Sequence, residues 1–112
     1  MAAKKKGKSP TQCTLDKWRK VGYTVAVVEK WNPHMKIRQD LFGFIDVLAI
    51  GKDETVAIQS TTKHNLKSRI TKIESDDLFE KVSAVREAGW RIIAEGWHKP
   101  KHRWECEEVD LS

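Results

Sequence analysis

The sequence predicts a single α/β domain, a mixed sheet flanked by helices. Three features carry that expectation. The runs "YTVAVVEKW", "LFGFIDVLAIG" and "ETVAIQST" are apolar and rich in β-branched residues, as buried strands are. Other segments repeat apolar residues at steps of three and four, the helical signature. In chain order the two kinds of segment give α-β-β-β-α-α-β-β, interleaving helix with strand. With 112 residues, 39% hydrophobic and 33% charged, the chain is long enough for one moderate core and too short for two.

Taken in order, "MAAKKKGKSP" (residues 1–10) reads as a disordered basic tail, and Pro10 with the polar "SPTQ" marks the boundary of a single domain over residues 11–112. From Thr11 to about Lys20, Leu15, Trp18 and Val21 recur every three residues, predicting a short amphipathic helix that Gly22 ends. "YTVAVVEKW" (23–31) follows as a strand, and its apolar middle predicts burial on both faces. "NPHMKIRQD" (32–40) reads as a connection. "LFGFIDVLAIG" (41–51) and "ETVAIQST" (54–61) are the second and third strands, joined by a tight turn at Gly51, Lys52 and Asp53. Leu66, Ile70 and Ile73 place a helix on "HNLKSRITKI", with Asn65 as its N-cap. Leu78, Val82 and Val85 place another on "DDLFEKVSAVREAG", opened by Asp76 and Asp77 and stopped by Gly89. "WRIIAEGW" and "RWECEEV" close the chain as two strands around an "HKPK" loop.

No apolar run approaches the roughly 20 residues that cross a bilayer, and no apolar segment follows the N-terminal lysines as a secretory signal requires. The expectation is a cytoplasmic protein without a membrane partner. Cys13 and Cys106, far apart in the chain, read as two free thiols. The formal charge is +5, but Lys4, Lys5, Lys6 and Lys8 supply four of it, leaving +1 over residues 11–112. Net charge alone therefore names no nucleic-acid partner.

Two polar residues stand out inside the strands. Asp46 interrupts an apolar run between Ile45 and Val47, and Gln59 follows at the end of the next run. Burying such groups is costly unless something hydrogen-bonds or coordinates them. Strand alternation puts Val56, Ile58 and Ser60 on one face and Ala57, Gln59 and Thr61 on the other. Pairing of the second and third strands across the turn brings Asp46 within a few residues of a position opposite Gln59. A carboxylate, an amide oxygen and a main-chain carbonyl, here that of Ser60, are the hard oxygen donors that Mg²⁺ prefers. The alternative is that the pair is satisfied by hydrogen bonding alone.

The element order, with Asp46 on the second strand and Gln59 on the third, resembles the PD-(D/E)XK nuclease superfamily, in particular its small Holliday-junction-resolvase-like and phage-type members. The resemblance covers about residues 11–97. It implies a restriction-endonuclease-like fold and a metal-dependent endonuclease that hydrolyses DNA phosphodiesters with Mg²⁺ or Mn²⁺. Asp46 and Gln59 match the family's metal-holding positions, with the Ser60 carbonyl as a main-chain ligand. The family's further glutamate lies on the first helix, where this chain has only Asp16, so Glu29 at the end of the first strand is the candidate for that role. A homodimer in a bacterial or phage-infected cell is implied as well. Thr61 stands at the position of the family's lysine. Lys63, two residues on, would supply the ammonium from a shifted position if the strand continues. Asp40 is a further possible ligand.

Lys63, Lys67, Arg69 and Lys72 form a block of cations without an acid, and Arg38 and Lys36 add to it from before the second strand. Such density suits phosphate contacts, while a solvated face balanced by the following Glu74, Asp76, Asp77 and Glu80 is the plainer alternative. Trp18 and Trp90 fall on apolar patterns and read as core, whereas Trp31, Trp97 and Trp104 lie beside basic residues, where aromatic faces can stack on bases. Three classes of function remain: a metal-dependent nuclease, a nucleic-acid-binding protein of the same fold that has lost catalysis, and a structural or interaction protein of viral origin.

Overall fold

The computed structural model describes residues 8–112, so the expectation for the first seven residues of the tail lies outside the described residues. Helix α1 (Pro10–Lys20) starts where Ser9 Oγ accepts the Gln12 amide at 3.1 Å, with proline in the first turn, where its missing N–H costs nothing. Ser9 and Pro10, read as tail from sequence, thus belong to the fold. Leu15 and Trp18 are buried as the stripe predicts, but Val21 caps the C-terminus and is 66% exposed.

The first strand is shorter and more open than expected. β1 (Thr24–Val27) lies at the edge of the sheet, paired only with β4, and most of its residues are exposed, correcting the expectation of burial on both faces. The segment read as a connection contains a strand. β2 (Lys30–Asn32) and β3 (Ile37–Gln39) pair antiparallel as a separate ribbon, with Trp31 opposite Arg38. Asn32 Oδ1 accepts the amides of His34 and Met35 at 3.0 and 3.1 Å, which folds the turn between them.

The second predicted strand is broken near its start. Phe42 (φ 55°) and Gly43 (φ 84°) are left-handed, and the Ile45 amide returns to the Leu41 carbonyl at 3.0 Å, so residues 41–45 form a tight turn. Regular strand begins only at β4 (Val47–Ile50), and β5 (Thr55–Thr62) follows after the expected turn. α2 (Lys63–Ile73) begins directly after β5, with Thr62 rather than Asn65 as its N-cap residue. A 3₁₀ turn (Asp76–Leu78) leads into α3 (Phe79–Glu87), then come β6 (Arg91–His98) and β7 (Glu105–Asp110).

The main sheet has five strands in the order β1-β4-β5-β6-β7, with β5 and β6 parallel and the other neighbours antiparallel. The protein is an α/β fold with a mixed sheet. A parallel pair needs a crossover, which α2 and α3 provide. Apolar residues are buried on both faces. Under α1, Leu15 and Trp18 pack with Val47, Ala49, Val56, Ile58 and Ile93. Under α2 and α3, Phe44 and Ile45 pack with Ala57, Ile73, Val82, Val85 and Ile92. Among the described residues no helix is long and apolar enough to cross a membrane. Both thiols are free, and burial pushes the Cys106 thiol up to about 12.

α2 crosses β6 closely because residue 96 has no side chain. A Cβ there would lie 3.0 Å from Leu66 Cβ and 3.1 Å from Lys63 Cα, the second a backbone atom that cannot rotate away. Gly96→Ala is expected to lower stability by about 1–3 kcal/mol, read by urea denaturation. An unchanged midpoint would show that α2 is free to lift off the sheet.

Candidate functional site: a carboxylate and amide pair in a polar cleft

The turn at residues 41–45 delivers Asp46 to a defined place. Its amide donates to the Ile58 carbonyl at 3.0 Å, and its carbonyl accepts the Val28 amide at 2.8 Å, so the backbone is held from both sides. The register Val47↔Ile58 then sets Asp46 directly opposite Gln59. Asp46 is 4% exposed and Gln59 3%. Gln59 Nε2 donates to Asp46 Oδ1 and Oδ2 at 2.9 and 3.0 Å, and the Ser60 amide donates to Oδ2 at 2.9 Å. The two residues singled out in the sequence therefore touch.

β4 ends its pairing with β5 at this point, and the Asp46 side chain takes the Ser60 N–H in place of a strand. The N–H and C=O of one strand residue face the same neighbour, so the Ser60 carbonyl faces the same gap. Gln59 Oε1 is buried without a hydrogen-bond partner. Leaving a buried acceptor unpaired costs about 1–3 kcal/mol, so this oxygen calls for a donor or a cation.

A polar cleft of about 640 Å³ opens over the pair, lined among others by Glu29, Arg38, Asp40, Asp46, Gln59, Ser60, Arg69 and Lys72. Burial pushes the Asp46 carboxyl up to about 8, and the negative charges of Asp40 and Glu29 add to the rise. The Ser60 amide and the Arg69 guanidinium pull the other way. Glu29 sits between β1 and β2 and accepts from Arg38 Nη1 at 3.1 Å, a bond at the cleft mouth from the ribbon.

The cations divide by helix face. Arg69 and Lys72, three residues apart, line the cleft. Lys63 and Lys67 are exposed and lie outside its lining. Lys63 was expected to follow Gln59 and Thr61 along a continued strand, but helix starts at Lys63 itself, so the alternation stops at Thr62. Lys72 brings the only lysine ammonium among the described residues to the cleft lining. Thr61 is 6% exposed, packed away under the helices.

Whether a cation fits is decided by donor chemistry. A Gln59 amide turned over about its terminal torsion, a soft twofold rotation, puts Oε1 where Nε2 now stands. It would then lie about 2.9–3.0 Å from the Asp46 oxygens. That spacing is the edge of an octahedron with metal–oxygen bonds of about 2.1 Å. Two neighbouring ligands of a hard divalent cation are therefore within the reach of these side chains, with the Ser60 carbonyl beside them. Among the described residues, no three histidine, cysteine, aspartate or glutamate side chains gather around one point. Glu29 and Asp40 line the same cleft and add their negative charge to it.

Sequence reading missed the polar cluster behind the pair. Glu95, on β6, is completely buried on the α1 side of the sheet. Its carboxylate accepts from Lys17 Nζ at 2.5 Å and Trp18 Nε1 at 3.1 Å. Thr14 Oγ1 lies 2.8 Å from both Glu95 Oε1 and Ser60 Oγ and accepts from Trp97 Nε1 at 3.0 Å. A hydroxyl has one proton, which goes to the carboxylate, so the Ser60 hydroxyl donates to Thr14. The signal was available: Glu95 alternates onto the face of Ile93 and Trp97, as anomalous there as Asp46 is in its own strand.

Comparison with protein-family models, with curated proteins and with solved structures finds no match.

Proposed function

We propose that this chain is a metal-dependent endonuclease-like protein of the PD-(D/E)XK type, acting on DNA phosphodiesters through the cleft over Asp46 and Gln59. The observation that carries the reading is the Asp46–Gln59 contact on adjacent strands beneath a cleft that also presents Arg38, Arg69 and Lys72. Asp46, Gln59 Oε1 and the Ser60 carbonyl are the groups that would hold Mg²⁺ or Mn²⁺. Such an ion, when bound, lowers the pKa of a water and offsets charge on a phosphoryl oxygen. Arg38 and Arg69 bind phosphate oxygens of the backbone. Lys72, rather than Lys63, holds an ammonium at the cleft where negative charge develops. The order of the main-sheet elements, α-β-β-β-α-α-β-β once the ribbon is set aside, supports a restriction-endonuclease-like fold.

A second reading, DNA binding without cleavage, is favoured by Thr61, which is buried where the family's lysine stands. One experiment separates them. Labelled single-stranded, duplex and branched DNA are incubated with the protein in Mg²⁺, in Mn²⁺ and in chelator. Metal-dependent cleavage is the expected result. Salt-sensitive binding of DNA with no cleavage of any substrate selects the second reading, and absence of binding at moderate salt overturns both.

A further inference from the structure

The cleft lies at one end of the sheet, and the topology brings other cations to the same end. β5 and β6 run parallel with Thr62 opposite Trp97, so α2 and the β6–β7 loop leave the sheet along one edge. Asp46 enters β4 on that edge too, because β4 is antiparallel to β5. The loop after His98 carries Lys99, Lys101, His102 and Arg103, all exposed, with no acid until Glu105. Lys99 Nζ stands 5.6 Å from the Trp104 ring centre, which braces the loop. Lys63 and Lys67, exposed at the start of α2, lie between the cleft and this loop in sheet order.

The other edge has the opposite character. Asp53, Glu54 and Asp110 lie there, and Arg91 is tied to two of them, at 3.1 Å to Glu54 and 3.2 Å to Asp110. Among the described residues, Lys63, Lys67, Lys99, Lys101 and Arg103 thus stand exposed on the cleft edge with no ion-pair partner, beside the cleft carboxylates Glu29, Asp40 and Asp46. The far edge holds Asp53, Glu54 and Asp110 with Lys52. A cluster of exposed cations on one edge attracts a polyanion to it.

We infer that DNA lies across this whole edge, its backbone held at the cleft by Arg69 and Lys72 and at a second patch by Lys99, Lys101 and Arg103 of the β6–β7 loop. The inference rests on the reading of the cleft as a DNA site. From the β4–β5 gap to the β6–β7 loop is about two strand spacings, or about 10 Å. That is about three phosphates along one strand at the duplex rise. Lys63 and Lys67 fill the interval. The loop supplies affinity for DNA without touching the reacting bond.

The test is fluorescence anisotropy on the full chain with a labelled duplex of about two helical turns, titrated over a range of salt. The triple variant Lys99→Ala, Lys101→Ala, Arg103→Ala is expected to bind at least about tenfold more weakly at moderate salt and to lower the salt slope by about 2–3. Lys99→Arg with Lys101→Arg is expected to bind as the wild type does, and Lys52→Ala on the far edge is expected to change nothing. Circular dichroism checks that the variants are folded, which their exposed positions favour. If the triple variant matches the wild type while Arg69→Ala with Lys72→Ala weakens binding, the loop has no part and the cleft reading stands. If the wild type binds no duplex, the cleft reading itself fails and the loop proposal falls with it.

Discussion

Asp46→Asn is expected to fold, to show no metal-dependent cleavage, and to be more stable than the wild type above about pH 8. The reasoning starts from the carboxyl's burial, which raises it from the ordinary 3.8 to about 8. Between those values the native protein holds a proton that the unfolded chain has released. Stability of the wild type therefore falls as pH rises through this window and levels off above it. The loss is bounded at about 6 kcal/mol by the size of the shift. Asparagine cannot ionise, so its curve stays flat. The asparagine amide can also donate to Gln59 Oε1 once that amide is turned over, and so satisfies the oxygen left unpaired in the native pair.

The check is urea denaturation from about pH 4 to about pH 9, with and without Mg²⁺. Bound cation competes with the proton, so Mg²⁺ should restore wild-type stability most at high pH and leave the asparagine variant unmoved. Parallel curves for the two proteins in metal-free buffer would mean that Asp46 is ionised throughout, and the proton-linked account would be lost.

Glu95→Ala is expected to cost about 3–5 kcal/mol, the penalty for breaking a buried charged network by removing one partner. Three donors aim at this carboxylate: Lys17 Nζ, Trp18 Nε1 and Thr14 Oγ1. Deleting it leaves the indole and hydroxyl protons in an apolar layer and strands half of the Lys17 ion pair. Burial pushes the Glu95 carboxyl above its usual range, and the Lys17 ammonium holds it back. Lys17 also pairs with Glu108, whose side chain is 38% exposed, so Glu108→Ala should cost no more than about 1 kcal/mol. Chemical denaturation of both variants decides the matter. Equal effects would mean that the cluster is held by packing alone.

Long elements with strong periodicity were legible. The stripe through Leu15 and Trp18, those of α2 and α3, and the turn after Gly51 all lie near their expected places. Asp46 and Gln59 were legible for the same reason: a polar residue is conspicuous in an apolar run, and strand alternation supplies its direction. The ribbon of β2 and β3 was hidden because three residues are too few for alternation to declare itself, and "NPHMKIRQD" has turn residues at its head. The break at Phe42 was hidden because its positive φ arises in a turn closed by bonds to Leu41 and Asp40, not in a local preference of phenylalanine. Lys63 was misdirected by extending a strand whose end only the helix start fixes. Glu95 was legible as the same kind of anomaly as Asp46, but its partners on α1, 77 to 81 positions earlier in the chain, were beyond any local pattern.

Ser60 belongs to both layers of the molecule. Through its amide it grips Asp46 under the cleft, and its hydroxyl lies 2.8 Å from Thr14 on the opposite side of the sheet. The floor of the cleft is therefore bolted from behind. Changes at Thr14 on α1 therefore reach, through Ser60, the amide that holds the Asp46 carboxylate, and a protein engineer who treats α1 as mere cladding will shift the floor of the cleft on the other face of the sheet.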